Sequence, residues 1–124
     1  MKPLTTANEA KQLGRRILDA EGAMLRSLDV TGPTSARLRL SVQDKHRGFD
    51  WIDMTFEING MNDARLVDDK TLGLINTDDG ITMLFEDSVW GIGIGRYRSL
   101  EALKSSPLFI IGTSLKYEEA PFSG

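Results

Sequence analysis

The sequence predicts an α+β fold, with one long N-terminal helix packed on a six- to seven-stranded, mostly antiparallel meander sheet. Apolar residues first recur at steps of three and four and then, from residue 36 onward, at steps of two. Short polar turns separate the later segments, and short turns allow only antiparallel pairing. A short helix is expected before the last strand. The 124 residues contain no long linker, so we expect a single domain over residues 1–124.

The predicted N-terminal helix spans residues 6–28. Thr6 and Glu9 have the spacing of a capping box, in which each side chain satisfies a backbone N–H of the first turn. One face of the helix would carry the apolar residues Ala10, Leu13, Ile17, Ala20, Met24 and Leu28. Gly32 and Pro33 follow, and because proline cannot continue a helix, we expect the helix to end before them.

Two half-buried strands are predicted next, at 36–43 and 51–58. In both segments apolar residues alternate with polar or charged ones. The register that keeps the apolar faces together places Arg37 opposite Glu57 and Arg39 opposite Thr55 on the other face. That face is interpreted either as a solvated array of ion pairs or as a polar binding surface.

A hairpin is predicted directly after the second of these strands, because Asn59-Gly60 is typical of a tight turn. A three-residue loop with a bulge would set Phe56 opposite Ala64 and Met54 opposite Leu66. A two-residue loop would bring charged residues to the apolar face, so we expect the three-residue loop.

The remaining strands are predicted from apolar segments between polar turns, at 71–76, 81–86, 89–95 and 108–117. The short helix is predicted at 99–104, where Ser99 can cap the first turn. In a meander, alternate turns lie at the same end of the sheet. The turns at 68–70 and 86–88 are therefore expected to share one end, opposite the turn at 78–80.

The composition favours a cytoplasmic protein that binds neither membranes nor nucleic acids. The chain contains no cysteine, and its first residues contain no apolar segment of the secretory type. The net charge of −3 divides into +4 for residues 1–49 and −7 for residues 50–124. An acidic region lacks the clustered cations that bind phosphates, and it suits a basic protein partner instead.

Acidic residues concentrate in the predicted turns, and we expect them to form the partner-binding surface. They are Asp68, Asp69, Asp78, Asp79, Glu86 and Asp87. Several acidic turns at the rim of a sheet could receive a basic protein. The alternative is local, since aspartate is favoured in turns through hydrogen bonds to its own backbone.

Three glycines alternate with apolar residues in the segment 90–95. In a strand, Gly91, Gly93 and Gly95 would occupy one face, and such a bare face allows another element to approach closely. We expect a helix or an aromatic ring there; a ligand is the alternative. The dinucleotide-binding pattern does not fit, because its third glycine would fall on Arg96.

No set of catalytic residues is evident, so the sequence predicts a non-catalytic protein-binding domain. One concrete form is a bacterial toxin-immunity protein that neutralises a basic partner. No cofactor or metal site is predicted, because His46 is the only histidine and lies in a polar turn. A homo-oligomer formed through an edge strand is another possibility.

The alternative function is a small-molecule-binding or enzymatic cup, with a pocket between the helix and a curved sheet. Its expected lining is Trp51, Asp53, Glu57, Trp90, Arg96 and Tyr97. Asp53 and Glu57 would be the acid and base, since they lie four residues apart, which is two steps along one strand face.

Overall fold

The computed structural model describes residues 1–124 and contains nine strands and three short α-helices. The strands are β1 (Lys2–Leu4), β2 (Met24–Gly32), β3 (Ser35–Asp44), β4 (Asp50–Asn59), β5 (Asp63–Arg65), β6 (Ile81–Glu86), β7 (Val89–Ile94), β8 (Phe109–Gly112) and β9 (Ser114–Pro121). The α-helices are α1 (Ala7–Arg16), α2 (Asp69–Leu72) and α3 (Leu100–Leu103). Two 3₁₀ turns lie at Leu18–Ala20 and Lys45–Arg47.

The strands form two antiparallel sheets. Sheet A has five strands in the order β1-β9-β4-β3-β2, and sheet B has four in the order β5-β8-β7-β6. All strand pairs are antiparallel. The predicted α+β class with antiparallel pairing is confirmed. The predicted single meander sheet is wrong, because the chain passes from sheet A to sheet B and then returns.

The N-terminal helix is much shorter than the predicted span of 6–28. The capping box at Thr6 and Glu9 is present, but α1 ends at Arg16. Three consecutive residues, 18–20, have φ of 57°, 54° and 58°, which a right-handed helix does not allow. Residues 24–32 instead form β2, whose Gly32 pairs with Ser35 across a two-residue turn. The Gly32-Pro33 pair thus begins a hairpin turn and does not end a helix.

The predicted register between β3 and β4 is confirmed. Arg37 pairs with Glu57 and Arg39 with Thr55 on the outer face of sheet A. The opposite face is fully apolar and buried from Ala36 to Val42 on β3 and from Ile52 to Ile58 on β4. β3 and β4 form the centre of the core, because apolar and polar residues alternate along both strands and leave one continuous apolar face.

The hairpin predicted at Asn59-Gly60 does not form. The Asn62 N–H donates to the Ile111 carbonyl oxygen of β8 at 2.9 Å, so the chain crosses here from sheet A to sheet B. Phe56 pairs with Tyr117 of β9, and not with Ala64 as expected. Met54 likewise pairs with Glu119 and not with Leu66. The reason is that β3 and β9 occupy both edges of β4.

The strand predicted at 71–76 is also absent. Asp68 accepts a hydrogen bond from the Thr71 N–H at 2.7 Å and caps the short helix α2. An aspartate three residues before a backbone N–H stabilises a helical turn, and this local bond prevails over the apolar spacing of Leu72 and Leu74. The strands at 81–86 and 89–95 and the short helix at 99–104 are confirmed to within a residue or two.

The single strand predicted at 108–117 is not observed. The segment forms two strands, which belong to different sheets. β8 is interior to sheet B, and β9 is interior to sheet A and extends to Pro121. At the junction, a Cβ placed on Gly112 would lie 2.6 Å from the Asn59 carbonyl oxygen. Glycine therefore allows the chain to pass between the sheets beside the crossover at residue 60.

The bare face of β7 is covered by α3, as the alternation of glycines predicts. A Cβ on Gly91 would lie 2.5 Å from Leu100 Cδ2, and one on Gly93 would lie 2.5 Å from Leu103 Cδ1. On the other face of β7, Ile92 and Ile94 join the main core. That core combines the inner faces of both sheets with Leu13 and Ile17 from the helical segment.

Candidate functional site

The six acidic residues of the predicted partner surface lie in one continuous stretch of chain. Five of them are exposed, and Glu86 is half-buried. None of the six forms an ion pair, whereas seven of the remaining carboxylates do. Lys70 is the only cation between residues 66 and 95. The segment 66–95, which we name the acidic segment, therefore presents six carboxylates against one lysine.

The arrangement of the acidic segment differs from the predicted rim. Asp78 and Asp79 precede β6, and Glu86 and Asp87 end it, so these pairs lie at opposite ends of the strand, as expected. The expected position of the turn at 68–70 depended on a strand at 71–76, which is absent. Asp68 and Asp69 instead begin α2, which packs near β2.

The lining predicted for the alternative pocket is divided between two sheets. Trp51, Asp53 and Glu57 belong to the outer face of sheet A. Trp90 lies in the core, stacked on Phe85 with ring centroids 4.5 Å apart. Arg96 pairs with Glu21. Tyr97 lies against Gly95. The structure thus forms no single pocket from these six residues.

Asp53 is buried on the outer face of sheet A, opposite Ser41, which is also buried. Its carboxylate accepts hydrogen bonds from Ser41 Oγ at 2.6 Å, Ser123 Oγ at 2.7 Å and Arg39 Nη2 at 3.2 Å. Burial alone would raise the pKa of Asp53, but these hydrogen bonds outweigh it and hold the pKa below its usual value. Phe122 packs beside Trp51, with ring centroids 6.2 Å apart.

Glu57 is also engaged by an arginine side chain. It forms an ion pair with Arg37 at 2.8 Å and accepts a hydrogen bond from Asn59 at 3.1 Å. Arg37 is the main cause of the lowered pKa of Glu57. A general acid or base at neutral pH needs a pKa near 7, so both expected acid–base residues are shifted away from that role.

A partly buried ion-pair network near the end of α1 was not predicted. The carboxylate of Asp44 is inaccessible to solvent and accepts hydrogen bonds from Arg16 Nε at 3.0 Å and Arg16 Nη2 at 2.7 Å. Glu119 of β9 binds the same guanidinium group. Arg16 is the main cause of the lowered pKa of both carboxyl groups. One sequence signal could have indicated it: Asp44 continues the apolar face of β3, where a carboxylate needs a partner.

A groove runs along α1, between the helix, β1, β9 and the 3₁₀ turn at Lys45–Arg47. Two adjoining cavities of about 330 and 350 Å³ form it, and both are lined by Gln12, Arg16 and His46. We name this feature the α1 groove. A separate, smaller cavity of about 180 Å³ lies between α1 and β6.

Metal-ligating residues do not cluster anywhere in the chain. No group of three or more histidine, cysteine, aspartate or glutamate side chains has a geometry that could hold a metal ion. His46 is exposed in its 3₁₀ turn. None of the helices is long and apolar enough to cross a membrane.

Comparison with known proteins gives no relative from which a function could be transferred. No protein-family model, no curated protein sequence and no solved structure matches this chain.

Proposed function

We propose that this chain is a non-catalytic protein-binding domain whose acidic segment receives a basic protein. The observation that carries the proposal is that all six carboxylates of residues 66–95 are without an ion pair, with Lys70 as the only nearby cation in sequence. Elsewhere in the chain, carboxylates such as Asp44 and Glu57 are neutralised internally.

Unpaired surface carboxylates are well suited to a partner that brings its own cations. No internal ion pair has to break before such a partner binds, so the full attraction is available between the two proteins. Complementary charge mainly raises the rate of association and makes it sensitive to salt. Screening acts over about 8–10 Å at physiological ionic strength, so exposed carboxylates respond strongly to added salt.

A toxin-immunity protein is the concrete form that we propose for this domain. It would act in the bacterial cytoplasm and neutralise a basic toxin by charge and shape. The acidic segment, the absence of cysteine and the small size of the chain support this form.

The surroundings of Asp53 and Glu57 support binding over catalysis. Both carboxylates are held by arginine, and the pKa of each is lowered. The division of the six alternative pocket residues between two sheets also favours the protein-binding function over the predicted cup.

The test is affinity capture from native cell extract with a charge-reversed variant and a matched control. The variant carries Asp78→Lys, Asp79→Lys, Glu86→Lys and Asp87→Lys, which adds eight charges and changes the net charge from −3 to +5. The control reverses four exposed carboxylates elsewhere, by Asp29→Lys, Asp50→Lys, Glu101→Lys and Glu118→Lys, and reaches the same net charge.

We expect the wild-type chain and the control to retain one stoichiometric basic protein at low salt and to lose it at high salt. The acidic-segment variant should not retain that protein. The proposal is wrong if both variants lose the partner equally, since net charge alone would then explain binding. It is also wrong if the wild-type chain captures no protein at either salt concentration.

A further inference from the structure

The α1 groove is bordered by cations that have no partner within the chain. Lys2 lies at one end of the groove, and Arg15 and Lys45 lie at the other. None of the three forms an ion pair. Like charges repel one another, so three unneutralised cations around one concave feature favour an anion in it.

Glu9 is the only carboxylate that lines the groove itself, and it is already engaged; Glu118 and Glu119 line the neighbouring cavity beside Lys2. Glu9 lines the part of the groove near β1, but its Oε1 accepts hydrogen bonds from the Thr5 N–H at 2.8 Å and the Thr6 N–H at 3.1 Å. This carboxylate therefore stabilises the first turn of α1. It does not neutralise the cations at the far end.

The floor of the groove is apolar at the end near β1. Leu4 and Leu13 line it and are each only 5% exposed. Tyr117 of β9 adds a half-buried aromatic ring to the same wall. The opposite end is lined only by polar and charged side chains, including Gln12 and His46. The groove is thus amphipathic along its length.

Buried Asp44 fixes the two walls of the groove relative to each other. It holds Arg16 of α1 through two hydrogen bonds and accepts the backbone N–H of His46 at 2.9 Å. Arg47 approaches the same carboxylate at 3.4 Å. A binding site whose walls are held in place before the ligand arrives loses less entropy on binding.

We propose that the α1 groove binds a small organic anion, with a phosphate or carboxylate group among Arg15, Lys45 and His46 and an apolar or aromatic body toward Leu13 and Tyr117. Its two adjoining cavities of about 330 and 350 Å³ are within the size range of small-molecule sites, which is about 300–1,000 Å³. The site shares no residue with the acidic segment, so it is independent of the proposed partner binding.

The experiment titrates the full chain with phenyl phosphate and, separately, with benzoate, and follows backbone amide shifts by NMR. At least one of these probes should cause saturable shifts at Gln12, His46 and Tyr117. Two further probes test the contributions of the anionic group and the aromatic ring to binding. Inorganic phosphate carries the anionic group without a ring, and benzyl alcohol carries the ring without a charge. Both should bind at least about tenfold more weakly than the better organic anion.

The matched variants change exposed side chains and should keep the fold. Arg15→Gln combined with Lys45→Gln should weaken binding by about tenfold or more, because charge-assisted hydrogen bonds are lost. The control is Lys11→Gln combined with Arg98→Gln, which removes the same number of positive charges: both residues are exposed and neither lines the α1 groove. It should leave the affinity within about twofold.

Three results would each overturn the proposal. The first is an absence of saturable groove shifts with either organic anion up to about 10 mM. The second is equal affinity for inorganic phosphate, which would show that the apolar floor takes no part. The third is an equal loss of affinity in the control with Lys11→Gln and Arg98→Gln, which would show that binding follows overall charge.

Discussion

Leu103 of α3 occupies the space that a side chain on Gly93 of β7 would need. A Cβ placed on Gly93 would lie 2.5 Å from Leu103 Cδ1, and Leu103 is fully buried. The φ of Gly93 is outside the left-handed region, so glycine is required here by close packing and not by backbone conformation.

The first prediction follows from this contact. Gly93→Ala should lower the free energy of unfolding by about 1–3 kcal/mol, because the added methyl group overpacks the space beneath α3. In a Leu103→Ala background the same change should cost less than about 1 kcal/mol, since the obstructing side chain is gone. Urea unfolding of the four variants in this cycle measures the difference. An equal cost in both backgrounds would show that Leu103 is not the reason for the glycine.

The second prediction concerns the docking of the helical segment. Ile17 is 1% exposed in the core directly after α1. Ile17→Asp should prevent stable folding, because an unpaired charge in an apolar core costs several kcal/mol. Lys11→Asp, on the exposed side of α1, is the control and should fold. Thermal unfolding followed by circular dichroism compares them, and near-identical melting temperatures would contradict the docking of Ile17.

The parts of the fold that were predicted correctly depend on local or two-residue periodicity. The register of β3 and β4 was recoverable because a shift by one residue would expose every apolar side chain. The glycines of β7 indicated close approach by another element, and α3 supplies it. Such patterns predict structure well because several residues of one strand must all fit the same register or the same packing contact.

The parts that were missed depend on long-range pairing or on single backbone conformations. Apolar residues have helical spacing up to residue 28, and this spacing did not indicate the positive φ values at 18–20. Those φ values end the helical segment. The sequence around Asn59-Gly60 resembles a hairpin turn, yet β9, more than fifty residues later in the chain, occupies the edge of β4. A local pattern carries no information about which distant strand competes for an edge.

The candidate sites, like the fold, could be predicted from the sequence only in part. The acidic residues were visible in the sequence, but their lack of ion pairs became evident only with the position of every cation. The α1 groove was not predicted at all. It joins Lys2, Arg15 and Lys45 from three separate elements, and no spacing in the sequence relates them.

The third prediction separates two neighbouring glutamates of β9. Glu119 binds Arg16 within the network that includes buried Asp44, whereas Glu118 is exposed and forms no ion pair. Glu119→Gln should destabilise the fold by about 1–2 kcal/mol, because it removes a charge-assisted interaction of a partly buried guanidinium. Glu118→Gln should change stability by no more than about 0.5 kcal/mol. Equal effects in urea unfolding would show that the Glu119–Arg16 ion pair contributes nothing to stability.

The fourth prediction is a loss of stability in acid, and it follows from the lowered pKa values of several carboxyl groups. Arg16 is the main cause for Asp44 and Glu119, and hydrogen bonds that outweigh burial are the cause for Asp53. In the unfolded chain these groups return to about 3.9 for aspartate and about 4.3 for glutamate. The unfolded state therefore binds more protons than the folded state near pH 4.

The sign of the pH dependence follows directly from this difference in proton binding. The stabilisation is complete above the unfolded pKa values and is lost as the pH falls through the lower folded values. The free energy of unfolding should therefore decrease as the pH is lowered below about 5. Urea unfolding between about pH 7 and pH 3 measures the slope. Glu119→Gln should reduce this slope because it removes one of the shifted groups, while Glu118→Gln should retain the wild-type slope. An unchanged slope in Glu119→Gln, or greater stability of the wild-type chain in acid, would contradict the assignment of these ion pairs.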